Sequence, residues 1–246
     1  SAEAINLEAL LTNLINEIAE ISDEVILILD DYHVIECQPI DQALTYLLDH
    51  LPEQMHLVIA SRIDPTMPLA RLRARDQMVE IRADDLRFST VEATLFLNQM
   101  MAMDLLDKDV AALEERTEGW VAGLQLAAIS MQGLEGKKLS EFVHRFTGSD
   151  RYIHDYLVDE VLGKCSEKKK QFLLETSILG RMCATLCDFV LEISDSQMIL
   201  EQLEASNLFI VPLDHQRQWY RYHHLFADLL KHRLRLVYPK KIAGIH

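Results

Sequence analysis

Five consecutive aliphatic residues, Val25-Ile26-Leu27-Ile28-Leu29, run straight into two carboxylates, Asp30 and Asp31, and then into Tyr32-His33. No other stretch constrains the fold as much. An apolar run without a polar break predicts a strand buried on both faces, the habit of parallel sheets covered by helices. Ligands of open α/β sheets sit beyond the carboxyl ends of the strands, where the acidic pair falls. The pattern is that of a Walker B strand, in which one carboxylate holds Mg²⁺ and a second stands beside an attacking water. A strand closed by an acidic turn describes the same residues with no ligand at all.

The chain around this strand divides into two styles. Ile5, Leu7, Leu10, Leu11, Leu14, Ile15, Ile18 and Ile21 recur at helical spacing ahead of it. A helix is expected over 40–51, ending before Pro52, and a second apolar strand at His56-Leu57-Val58-Ile59-Ala60. Residues 78–82 read as a short third strand. Strand, helix and strand joined this closely predict parallel βαβ units. From Ser89 onward the pattern is helical. Ser89 and Glu92 form a capping box, and helices are expected over 107–117, 119–132, 139–146, 152–162, 168–176, 184–191 and 196–206. Residues 208–213 and 218–222 then read as a hairpin around Asp214-His215-Gln216-Arg217, followed by a closing helix over 224–237. Helices followed by a hairpin suit a winged-helix module. The fold class is thus α/β followed by mostly α.

Composition narrows the partners. A formal charge of −15 disfavours direct contact with nucleic acid, which needs clustered Lys and Arg. The basic runs Arg71-Leu72-Arg73-Ala74-Arg75 and 231–235 read as solvated helix faces. No apolar run approaches a membrane span and no signal peptide is evident, so a cytoplasmic protein is expected. Cys37, Cys165, Cys183 and Cys187 offer no second pair at zinc spacing and read as buried thiols in a reducing compartment.

A Walker B strand ordinarily follows a Gly-rich loop whose backbone N–H groups cradle phosphates. The first glycine of this chain is Gly119. At Gly136-Lys137, Lys138 stands where a Ser or Thr is needed and Met131 where the first glycine belongs. The chain has no complete phosphate loop of its own, and no nucleotide is expected to be bound or hydrolysed by these residues alone.

Several segments together resemble the large ATP-dependent LuxR-type transcriptional activators, members of the STAND class of signalling NTPases and akin to NB-ARC switch proteins. They are Leu27-Ile28-Leu29-Asp30-Asp31-Tyr32-His33, Ala60-Ser61-Arg62-Ile63-Asp64-Pro65 with the following Pro68-Leu69-Ala70-Arg71-Leu72-Arg73-Ala74-Arg75, and Asp85-Leu86-Arg87-Phe88. Further along come Thr117-Glu118-Gly119-Trp120-Val121-Ala122-Gly123-Leu124-Gln125, Glu175-Thr176-Ser177-Ile178-Leu179, and Trp219-Tyr220-Arg221-Tyr222-His223-His224-Leu225-Phe226. They occur in family order over nearly the whole chain.

The resemblance implies three regions: residues 1–88 as the C-terminal part of a nucleotide-binding α/β domain, 89–148 as a helical lid, and 149–246 as a winged-helix domain. It implies that Asp30 holds Mg²⁺ through water, that Asp31 orients or deprotonates the attacking water, and that Arg62 is a sensor arginine for the γ-phosphate. His223 would contact an ADP phosphate, with His224 the weaker candidate. Read without the family, Arg62 is a surface cation beside Asp64 and His223 a structural histidine at a strand end. Gln125 replaces the proline of the family's GxP motif and takes no nucleotide role; Trp120 reads as packing. In the related sheet order a phosphate-loop strand separates the two strands found here, which predicts that they pair differently or leave a gap for another chain.

The function implied is a switch: ATP or ADP, with Mg²⁺, controlling self-assembly of an activator that answers an unknown inducer and binds DNA through a domain absent here. The parent protein would be a slow ATPase. An interaction module that handles no nucleotide is the alternative; direct DNA binding by the winged helix and a helicase-type enzyme fit the sequence less well.

Overall fold

The computed structural model describes residues 7–35 and 37–238. Ile5, at the head of the first expected helix, and the tail from 239 lie outside them. The chain forms two compact units: residues to Glu80 with the short piece Ala205–Asn207, and Ile81–Glu204 with the chain from Leu208.

In the first unit, α1 (Leu7–Ala19) leads to β1 (Val25–Leu29), a single 3₁₀ turn (Tyr32–Val34), α2 (Gln38–Asp49) and β2 (Met55–Ile59). Pro39 in its first turn suits the start of α2, where a missing N–H costs nothing. The strands pair directly and in parallel, Val25 opposite Met55 through Leu29 opposite Ile59. No gap separates them: of the two outcomes expected, the strands pair differently from the related sheet order. Ile18, Leu47 and Met55 form the buried centre, with Ile15, Val25, Leu27, Leu44 and Leu51 packed around it. Gln54 ties the layers together, its amide donating to the Ile18 and Ile21 carbonyls at 2.8 and 3.1 Å.

The expectation of a strand buried on both faces is corrected here. Ile26, Ile28 and Val58 are 59%, 65% and 47% exposed. The side-chain period of a strand is two, and the described helices cover only one of the two resulting faces. The third strand is also corrected. Residues 78–82 form no ladder, with Val79 and Ile81 exposed, because no strand among the described residues offers them a partner. Ahead of them lies a short helix, α3 (Leu69–Ala74), which carries Arg71 and Arg73.

The second unit is helical around one continuous core. Its helices are α4 (Thr90–Thr94), α5 (Asp107–Thr117), α6 (Val121–Met131), α7 (Lys137–Arg145), α8 (Arg151–Tyr156), α9 (Glu167–Thr176), α10 (Ala184–Leu191), α11 (Ser196–Ala205) and α12 (His224–Val237). The capping box at α4 is present: Ser89 Oγ accepts from the Glu92 N–H, and the Glu92 carboxylate accepts from the Ser89 N–H. Helices α4 and α8 each run on into a π turn, Leu95–Met100 and Leu157–Val161. The hairpin is β3 (Ile210–Pro212) against β4 (Tyr220–Tyr222), antiparallel, with Val211 opposite Arg221. Met182 forms a further bridge to Tyr220. The core runs from Ala93 and Leu97 through Leu124, Phe146 and Leu200 to Phe226 and Leu230. The four cysteines are free thiols, Cys165 and Cys187 buried.

Candidate functional site

The ladder of the parallel pair continues past both strands. The Ala60 N–H donates to the Leu29 carbonyl at 2.9 Å, and the Tyr32 N–H donates to the Ala60 carbonyl at 3.0 Å. Asp30 and Asp31 therefore leave the sheet beside Ser61 and Arg62, at its carboxyl edge. Asp31 takes the left-handed conformation, φ 49° and ψ 37°, and its N–H donates to Asp30 Oδ1 at 2.8 Å. This turns the Asp31 side chain, 69% exposed, out toward solvent. The Arg62 N–H reaches His33 Nδ1 at 3.5 Å, and the same nitrogen lies 3.8 Å from Asp31 Oδ1. The imidazole thus stands between the acidic turn and the arginine loop. His33, quoted in the first motif, received no role from the sequence.

Beneath this edge lies a support built on one buried ring. Tyr32 is 3% exposed and its hydroxyl donates to Asp41 Oδ1 on α2. Thr66, in the loop after β2, donates to the other oxygen of the same carboxylate. Burial, then Asp41, pushes the Tyr32 hydroxyl up to about 12. The bonds from Thr66 and Tyr32 hold Asp41 below its ordinary value.

The arginines after this loop are paired on the surface, Arg71 with Asp49 and Arg73 with Glu80, as solvated helix faces would be. No cluster of three or more metal-ligating side chains occurs among the described residues.

His223 belongs to the second unit. It caps the start of α12 and is 5% exposed. Its Nε2 donates to the Thr117 carbonyl at 2.8 Å, so Nδ1 presents a lone pair, buried and without a partner. Trp120 and Phe209 meet the ring edge-to-face at 6.1 and 5.5 Å. Burial depresses its pKa, with Arg87 and His224 adding to the effect and Glu118 and Thr117 opposing it; the ring is held neutral. His224 is exposed, and its N–H donates to Glu118 Oε1 at 2.9 Å.

Sequence reasoning missed the residue that organises this region. Glu118 ends α5 in the left-handed conformation and is almost fully buried. It accepts a two-pronged bond from Arg221, Nη1 to Oε1 at 2.7 Å and Nη2 to Oε2 at 2.8 Å, and a longer one from Arg87 at 3.5 Å. Burial alone would raise its pKa; the bonds from Arg221 and the His224 N–H, with the charge of Arg221, outweigh that and bring it down to about 2. Gly119 follows at φ +70°, where an added Cβ would lie 2.4 Å from the Phe88 carbonyl oxygen. Three motifs quoted from the sequence thus meet at one carboxylate. The signal available was an acid placed just before a glycine at a helix end; its partner more than a hundred residues away was not readable.

Fold and site together define a mostly helical protein with a small parallel sheet and a winged-helix domain, bearing an acidic pair and an arginine at the sheet's carboxyl edge. Residues 158–242 match the MalT winged helix domain. Over 243 residues, 98% of this chain and 27% of the relative, the sequence is 32% identical to the HTH-type transcriptional regulator MalT of Vibrio parahaemolyticus. It is 34% identical over 242 residues to that of Yersinia pestis, with the same coverage. The serine/threonine-protein kinase PknK of Mycobacterium tuberculosis is 34% identical over 236 residues, 96% of this chain and 21% of the kinase. The chain is MalT-like along nearly its whole length, and it spans about a quarter of the length of the curated relatives it matches.

Proposed function

We propose that this region is the nucleotide-dependent switch of a signal-transducing regulator, with Asp30, Asp31 and Arg62 on the Mg²⁺ and γ-phosphate side of the site. The observation that carries the reading is that the two acidic residues and Arg62 leave neighbouring parallel strands at the same carboxyl edge. Mg²⁺ keeps several waters and takes one or two carboxylates alongside substrate phosphates. Two exposed carboxylates without a third ligand fit that requirement. Bound nucleotide would supply the phosphoryl group that reacts. Asp30 would hold the hydrated ion, Asp31 would accept a hydrogen bond from the attacking water, and Arg62 would read charge on the terminal phosphate. The phosphate cradle has no counterpart among the glycines of this chain.

In this reading residues 1–88 are the C-terminal part of the nucleotide-binding domain, 89–148 a lid and 149–246 the winged helix. The unpartnered Nδ1 of His223 supports a polar ligand atom, an ADP phosphate oxygen in the closed state, arriving at that nitrogen. A neutral imidazole must gain its second proton to favour an anion, so ADP binding through His223 would strengthen as pH falls. Relatives named for different outputs, a kinase and a transcriptional regulator, share this same stretch. A module common to both suits a switch better than either output. DNA binding, an inducer and self-assembly then belong to the whole regulator. No helix of the described residues is long and apolar enough to cross a membrane.

The test is self-association of the full-length protein. ATP with Mg²⁺ should drive assembly and ADP should not, and Asp31→Asn should hold the assembled state by blocking turnover. Assembly indifferent to the nucleotide would favour the interaction-module reading instead. For the 246-residue chain alone, no turnover above an Asp31→Asn control is expected.

A further inference from the structure

We propose that Asp41 is a positioning residue that locks the loop carrying Arg62 to the turn carrying Asp30 and Asp31, acting through Tyr32 on one side and Thr66 on the other. The inference rests on the reading of those three residues as a phosphate-side site.

The two loops already touch near Ala60, and Asp41 adds a side-chain link between Tyr32 and the far end of the Arg62 loop at Thr66. Tyr32 is pinned by its buried ring and by its N–H on the Ala60 carbonyl. Thr66 precedes Met67, which is buried, while Ser61 closes the start of the same loop by donating to the Ile63 carbonyl at 2.6 Å. Asp41 stands in the first turn of α2, where a carboxylate is also favoured by the helix dipole. One oxygen accepts from Tyr32 and the other from Thr66. A carboxylate is suited to this because both oxygens accept; an amide of the same shape accepts at one end and donates at the other. The two donations hold the Asp41 carboxyl below its ordinary value, and Asp41 adds to the rise that burial gives the Tyr32 hydroxyl. A second link, from the Arg62 N–H to His33 Nδ1, is longer and is untouched by changes at Asp41. The left-handed turn at Asp31 is strained for a residue with a Cβ. It is held on its C-terminal side by the residue that Asp41 grips.

Amide hydrogen exchange in the full-length protein tests the lock. Tyr32→Phe removes one hydroxyl from the first turn, yet exchange over 62–68 should quicken about fivefold. Reciprocally, Thr66→Val should quicken 31–35 by a similar factor, since coupling between sites runs both ways. In an Asp41→Ala background, adding Tyr32→Phe should change 62–68 no further. Strand residues 25–29 serve as the control for intact folding; should Asp41→Ala fail to fold, the two hydroxyl deletions decide alone. Effects confined to the segment that carries each substitution would overturn the lock.

Positioning is read separately, with Mg·ATP as the probe. Asp41→Asn should weaken its binding about fivefold or more. Coupled exchange with unchanged Mg·ATP affinity would overturn the positioning role. If the unsubstituted protein takes no Mg·ATP, the nucleotide reading falls, and the exchange result still decides whether the lock exists.

Discussion

In the first compact unit, alternate residues of β1 and β2 face solvent, and among its described residues only Ile18, Tyr32, Leu47, Met55, Met67 and Leu72 are buried. In the second, helices and hairpin close on one core that runs from Ala93 to Leu230. Both stretches are rich in Leu, Ile and Val, so composition does not separate them. The difference is what surrounds each apolar face. Helices can cover one another from several sides, whereas the described helices of the first unit leave one side of its two-stranded sheet bare. The acidic pair and Arg62 sit on the thin unit, where loops move at low free-energy cost. The buried charge at Glu118 sits in the dense one, where low local dielectric strengthens a well-made ion pair.

The comparison breaks most easily at Gly148. A Cβ there would lie 1.7 Å from the Leu225 carbonyl oxygen and 3.1 Å from the Leu229 nitrogen, both backbone atoms of α12. Gly148→Ala should cost roughly 3 kcal/mol or more, the scale of severe overpacking, read as a lower urea midpoint for the second unit. Next, Phe226→Ala should cost about 3–5 kcal/mol in the second unit, and Leu47→Ala about 2–3 kcal/mol in the first. Urea unfolding followed by near-ultraviolet circular dichroism should show each substitution moving its own transition and leaving the other in place. A single transition shifted equally by both would erase the distinction between the units.

Glu118→Gln comes third. It keeps the volume but weakens the two-pronged bond to Arg221, at about 2 kcal/mol near neutral pH, with allowance for the partly exposed arginine. The carboxylate is depressed from 4.5 to about 2. Its contribution is therefore complete above pH 4.5 and is lost as pH falls toward 2. Equilibrium unfolding across that window should show a steeper acid loss in the unsubstituted chain than in Glu118→Gln. His223 adds a slope of the same sign just below its ordinary 6.5: the unfolded histidine takes up a proton that the buried ring resists. The smallest effect belongs to Arg73→Gln, whose pair with Glu80 is partly solvated and should be worth under about 1 kcal/mol by thermal melting.

Much of the second unit was readable in sequence. The expected helices 107–117, 184–191 and 224–237 coincide with α5, α10 and α12, and Ser89-Thr90-Val91-Glu92 announced its cap correctly. These signals are local, set by spacing and by residues three or four apart. The failures were non-local. Whether Ile26 and Ile28 are covered depends on what lies across the sheet, which a run of aliphatic residues does not record. Residues 78–82 had strand composition without a strand to pair with. Of the candidate site, the neighbourhood of Asp30, Asp31 and Arg62 followed from two strand ends in parallel. The Tyr32–Asp41–Thr66 support and the Glu118–Arg221 pair did not, because each joins side chains separated in sequence by loops or whole helices.

The acidic edge as a nucleotide site is tested most directly by the Mg²⁺ dependence of ATP binding to the full-length protein, compared with Asp30→Ala. Asp30 as the holder of the ion predicts tight binding only with Mg²⁺ present, and a substituted protein whose affinity no longer answers to Mg²⁺. Equal affinity in the two proteins at every Mg²⁺ concentration would contradict the account.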